Sequence, residues 1–97
     1  MSRYLLSPAA QVDLEQIYDY TRQQWDTDQA ETYLRELQRA IERAAANPHL
    51  GRACEDIRPG YRKLPAASHT IYYRITGDGV IDVVRVLHQR MDIERHL

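Results

Sequence analysis

An α+β domain of order β-α-α-β-β-β is what this sequence predicts, and three observations predict it. Apolar residues recur at three- and four-residue steps from Pro8 to Ala46, the spacing of one helix face. From Tyr61 to His88 the pattern changes to segments rich in Ile, Val, Tyr and Thr around Gly77-Asp78-Gly79, which is strand and hairpin chemistry. A short apolar run, Arg3 to Leu6, stands before Ser7-Pro8. Together they describe an N-terminal strand and an α-helical hairpin packed on a mainly antiparallel sheet. A chain of 97 residues is the size of one domain, so residues 1–97 are read as a single unit.

Each element has its own signal. Ser7 is a good helix cap and Pro8 a good first helical residue, after which Ala10, Leu14, Ile17, Tyr18, Thr21 and Trp25 share one face. Asp26 or Thr27 caps the second helix, with Gln29 three residues beyond Asp26, and Ala30, Tyr33, Leu34, Leu37, Ile41, Ala44 and Ala45 form its apolar stripe. Asn47-Pro48 ends it. The very short link makes the pair an antiparallel hairpin. A polar connector with Gly51, Cys54 and Pro59-Gly60 follows, then strands at Tyr61 to Leu64, Ser68 to Thr76 and Val80 to His88. A three-residue loop, 77–79, sets Arg74 opposite Asp82. It turns Ile71, Tyr73, Ile75, Ile81, Val83 and Leu87 toward the helices, and Tyr72, Arg74, Asp82, Val84, Val86 and His88 away from them. Arg85 then falls on the helix-facing side near its edge. Gln89 to Leu97 is polar and short, a helical turn at most.

Composition removes several classes of protein. Hydrophobic content of 43% with 28% charged residues is that of a globular chain, not a disordered one. Cys54 stands alone, which excludes an internal disulfide, and no apolar stretch approaches the roughly 18 residues of a membrane span. Met1 to Pro8 has one basic residue and no long apolar region, so a secretory leader is not expected and a cytoplasmic protein is. The net charge of −1 hides an asymmetry: residues 1–57 carry six Arg against ten acids, residues 58–97 seven Lys or Arg against four. Such clustering makes a local positive field without raising the total.

No Gly-rich phosphate loop, zinc-type Cys/His spacing or Gly-x-Ser-x-Gly occurs, so neither a cofactor nor a metal is expected. The four histidines lie in separate segments, and Cys54 is assigned no role. What remains is Arg62, Lys63, Arg74, Arg85, His88 and Arg90, on the sheet or just after it. Arginine holds phosphate and histidine moves a proton near neutral pH, so the set suits RNA cleavage or, equally, a docking surface. For Arg85 a structural role, with its guanidinium on a helix carbonyl or acid, stands beside the functional one.

The element order, with Tyr61-Arg62-Lys63-Leu64, Ile71-Tyr72-Tyr73-Arg74-Ile75 and Val84-Arg85-Val86-Leu87-His88-Gln89-Arg90, resembles the ParE branch of the ParE/RelE toxin superfamily over nearly the whole chain. Val84 to Arg90 is the most specific part. It is similar to that branch's usual ending Arg-Val-Leu-His-Gly-Arg-Arg-Asp, with Gln89 in place of Gly and Met91 in place of the second Arg. The resemblance implies a toxin of a type II toxin–antitoxin pair, held by a ParD-like antitoxin and acting on DNA gyrase by binding rather than catalysis. Target contact then falls to the six basic residues above, with Arg85, His88 and Arg90 foremost. Tyr18, Trp25 and Tyr33 become candidate antitoxin anchors, their other reading being ordinary helix–sheet packing. Both a homodimer and a hetero-oligomer with the antitoxin stay open. The RelE-like branch, ribosome-dependent mRNA endonucleases, is an alternative from which this chain departs: no Tyr follows Tyr73, and Thr70 stands near where those enzymes tend to carry Arg. A non-toxic interaction module of the same fold is the other, kept open by Met91.

Overall fold

The computed structural model of the chain describes residues 3–91 and 93–97; Met1 and Ser2, part of the leader reading, and Asp92 lie outside the described residues. Its elements are β1 (Tyr4–Leu6), α1 (Pro8–Gln24), α2 (Thr27–Ala46), β2 (Arg52–Ala53), β3 (Tyr61–Ala66), β4 (His69–Ile75), β5 (Ile81–His88) and a 3-10 turn, Ile93–Arg95. The α+β order holds with one strand added. β2 pairs Arg52 with Lys63 and Ala53 with Arg62 inside the connector, and two residues are too few for any periodicity to announce a strand.

Local chemistry starts both helices. Ser7 is extended, its Oγ accepts from the Ala10 N–H at 3.0 Å, and Pro8 occupies the first helical position. Asp26 Oδ1 accepts from the Gln29 N–H at 2.8 Å, so only Trp25 and Asp26 separate the helices. Burial of Ala30, Leu37, Ala40, Ile41 and Ala44 follows the predicted stripe of α2. Leu37, Ala40, Ile41 and Ala44 meet Ile71, Tyr73, Ile81, Val83 and Val86 of the sheet in the main core.

The sheet runs β1-β5-β4-β3-β2, with β1 parallel to β5 and the other neighbours antiparallel. The hairpin loop is as read: the Thr76 N–H donates to Val80 O at 2.8 Å, Gly79 takes φ +79°, and Ile75, Arg74 and Tyr73 face Ile81, Asp82 and Val83. Then the register shifts. Tyr72 faces Arg85, so Val84 is an extra residue, a β-bulge, and every later side chain of β5 is turned over. Val86 therefore enters the main core and Leu87 leaves it, the reverse of the sequence expectation. His88 lies opposite His69 on the helix side, and Arg85 opposite Tyr72 on the far side. Ser7 holds the bulge: its N–H donates to Val83 O at 3.0 Å and its Oγ to Val84 O at 2.7 Å, contacts between distant parts of the chain that no local pattern encodes.

Both outer margins of the sheet are blunted. β1 covers only Ile81 to Val83 of β5, and beyond it Ser7 and then Asp13 of α1 take the main-chain groups a further strand would use. On β3, the Cys54 N–H donates to Tyr61 O, and alternation turns the main-chain groups of Tyr61, Lys63 and Pro65 the same way; Pro65 has no N–H to offer. On the far face Cys54, Tyr72 and Leu87 form a second buried cluster, with Ile57, Tyr61, Ile93 and Leu97 packed on it.

Candidate functional site

The C-terminal half of α1, the end of β5 and the segment after it enclose a groove of about 350 Å³. A buried ion pair forms one end. Arg85 donates from Nε to Asp13 Oδ2 and from Nη2 to Asp13 Oδ1, both at 2.8 Å, while the Val86 N–H donates to Oδ2 at 3.0 Å. Asp13 is 7% exposed. Its hydrogen bonds hold the Arg85 guanidinium even further above its ordinary pKa. Arg85 Nη1 also donates to the His96 carbonyl at 3.0 Å, so this one side chain ties α1 to the end of the chain's last segment. The guanidinium is thus committed internally, the structural reading of Arg85, and is not presented outward for a target. Asp13 went unnoticed in the sequence, yet its signal was there: a carboxylate three residues after Ala10 and four before Ile17, on the apolar stripe itself.

Three of the four histidines, His69, His88 and His96, line the same groove, a convergence that no local spacing announces. Among the described residues no group of three metal-ligating side chains forms. Tyr33 Oη accepts from the Ser68 N–H at 3.0 Å and lies 2.6 Å from His69 Nδ1. The two side chains share one hydrogen bond, whose direction is set by the imidazole tautomer. Burial first, then the neighbouring His88, lowers the His69 pKa to about 4, so it is neutral at pH 7. The His69 and His88 rings meet edge to face at 5.3 Å. His88 is exposed, and its Nδ1 accepts from the Arg90 N–H at 3.1 Å.

The remaining basic residues do not converge on this groove. Arg62 points to the helix side, where Nη1 donates to Gly51 O at 2.7 Å; it secures the loop after α2. Lys63 and Arg74 share the far face with Tyr61 and Tyr72, and Arg74 Nε meets Asp82 at 3.2 Å, as the register predicted. Arg90 lies beyond β5 and is exposed. One outward patch of six is therefore replaced by His88 and Arg90 at one rim, Lys63 and Arg74 on the far face, and two arginines with structural duties.

The aromatic candidates also part company. The Tyr33 hydroxyl is used internally. Trp25, expected on the apolar face of α1, follows its last turn and is 71% exposed. Tyr18 is half-buried under the Arg22 guanidinium, 5.7 Å above its ring, and lines a shallow groove with Leu14, Glu15, Asp19 and Leu34. Leu14 and Leu34 continue that groove toward Tyr4, Leu6, Gln38 and Ile41 at β1.

Residues 4–93 match the family described as the ParE toxin of type II toxin-antitoxin system, parDE. The chain belongs to the ParE toxin family. It is similar to Toxin ParE1 of Mycobacterium tuberculosis, 72% identical over 96 residues that cover 99% of this chain and 98% of that protein. Toxin ParE1 of Caulobacter vibrioides is 43% identical over 98 residues, covering 100% of this chain and 99% of that one. A solved structure described as the chromosomal ParDE TA system from P. aeruginosa shares the fold, with a TM-score of 0.77 over 91% of this chain and 96% of that one at 23% identity. For this ParE-family chain the fold expected from the resemblance is therefore the observed one, with β2 and the bulge at Val84 as its unforeseen parts. Among the described residues no helix is long and apolar enough to cross a membrane.

Proposed function

We propose that this ParE-family toxin acts in the cytoplasm on DNA gyrase, through the rim where β5 ends, and that a ParD-like antitoxin neutralises it. The observation that carries the target half is Arg90. It is exposed beyond the last strand, and its own N–H is held by His88, so its side chain is free to reach outward from a fixed base. His88 stands beside it as a second contact. Arg85 acts one step back as a positioning residue, since it bonds Asp13 and the His96 carbonyl. Lys63 and Arg74 contribute on the far face. The action is binding without bond cleavage: no Tyr follows Tyr73, and Thr70 is buried.

For the antitoxin, the groove lined by Leu14, Tyr18 and Leu34 supports docking of an apolar helix or extended segment, with Trp25 exposed at the turn between the helices. Family membership supports an antitoxin partner. The test has two arms. Purified toxin is added to a gyrase supercoiling assay and to ribosome-bound mRNA, beside Arg90→Ala. Inhibition of supercoiling that weakens at least ten-fold in Arg90→Ala, with unchanged thermal midpoint and unchanged antitoxin binding, is expected. Full inhibition by the variant removes Arg90 from the contact, and mRNA cleavage without gyrase inhibition overturns the target.

A further inference from the structure

The apolar patch on the far face of the sheet is flanked by Ile57 and Tyr61 and covered on the remaining side by the chain's own last residues. Cys54, Tyr72 and Leu87 are buried there, and Ile93 and Leu97, four apart around the turn Ile93–Arg95, pack on the cluster. Two guanidinium groups anchor the main chain of this segment. Arg85 Nη1 donates to His96 O at 3.0 Å, and Arg58 Nη2 donates to the Leu97 main-chain oxygen. Gln89, Arg90 and Met91, which lead into the segment from β5, are exposed, while Ile93 and Leu97 themselves are only partly buried.

We propose that residues 93–97 form a strap that lifts while the helices and sheet stay folded, uncovering the Cys54–Tyr72–Leu87 patch and releasing Arg58 and Arg85 Nη1 together. Ile93 and Leu97 are only partly buried and the described residues of this segment join no strand, so it has less to break than the strands beneath it, and such segments open well before the whole fold. Arg85 keeps its two bonds to Asp13 when the strap leaves, so opening does not dismantle the buried ion pair. The bare patch is then a docking surface whose preferred occupant is written in the strap: one helical turn with two aliphatic side chains four residues apart, its carbonyls met by two arginines. The inference rests on packing within this chain and not on the gyrase reading, so either can fail alone.

The single cysteine reports the opening. Cys54 is 1% exposed under the cluster, and burial pushes its thiol pKa up, so alkylation waits for the cover to move. Full-length protein is treated with iodoacetamide and the modified mass followed in time, across sub-denaturing urea. Expected is a measurable rate without urea whose urea dependence is much shallower than that of global unfolding. Arg58→Ala should speed alkylation several-fold, and Ile93→Ala with Leu97→Ala at least ten-fold, with unchanged far-UV circular dichroism. A synthetic peptide of residues 89–97, added to that double variant, should slow the reaction again. Alkylation that follows global unfolding at every urea concentration overturns the strap, as do folded variants that react at the wild-type rate; a peptide that gives no protection overturns the docking surface.

Discussion

Asp13→Ala tests the centre of the fold. The substitution removes a carboxylate that is 7% exposed and leaves without a partner two nitrogens of Arg85 and the Val86 N–H, three bonds of 2.8 to 3.0 Å. Breaking one side of a buried ion pair costs about 3–5 kcal/mol, a large share of the roughly 5–15 kcal/mol that holds a domain folded. At about 4–8 °C per kcal/mol for a chain of this size, the thermal midpoint should fall by at least about 12 °C. The pair as a whole matters less than either partner alone, because replacing both by apolar residues removes the stranded charge. Asp13→Leu with Arg85→Met should therefore recover most of the loss. Equilibrium urea unfolding of the wild type, both single variants and the double variant supplies the cycle. A cost below about 1 kcal/mol for Asp13→Ala, or single losses that simply add in the double variant, would refute the buried-pair account.

Two further outcomes follow from groups that the helices and sheet share. The Tyr73 hydroxyl accepts from the Gly51 N–H at 2.8 Å and donates to Pro48 O at 2.7 Å, so Tyr73→Phe should cost about 1–3 kcal/mol in urea unfolding. Gly51→Ala should cost a similar amount, about 1–3 kcal/mol, because a Cβ there would stand 2.5 Å from that hydroxyl. His69 makes stability depend on pH: its pKa is about 4 when folded and 6.5 when unfolded, so the unfolded chain binds the extra proton between them. Its contribution is whole above pH 6.5 and is lost as pH falls toward 4, by at most about 3 kcal/mol. His69→Gln should flatten the urea midpoint over that window, and an unchanged slope would count against a neutral buried imidazole.

Local signals carried most of the fold. Ser7-Pro8, Asp26, Asn47-Pro48 and Gly77-Asp78-Gly79 each act through neighbours within a few residues, and each marks a boundary close to the observed one. The register of the hairpin was legible as far as Tyr73 and Val83, where the pairing of Arg74 with Asp82 decides it. It failed at Val84 because the bulge is held by Ser7, whose position relative to β5 is a tertiary fact. That one residue explains most of what was misread at the candidate site: Val86, Leu87 and His88 exchange faces, and Arg85 reaches Asp13 round the edge of the sheet. Arg62 and Lys63 could not have shared a patch in any register, since adjacent strand residues point to opposite faces. Trp25 was placed on a helix face that ends one residue before it.

The blunted margins of the sheet bear on how this protein behaves when crowded with its own kind. Stacking of chains into fibrils needs a row of unsatisfied amides and carbonyls as a template. Here a serine, an aspartate and a proline interrupt that row on both sides, leaving β1, three residues long, as the widest opening. For copies that lose their antitoxin, self-templated pairing is thereby confined to that short row.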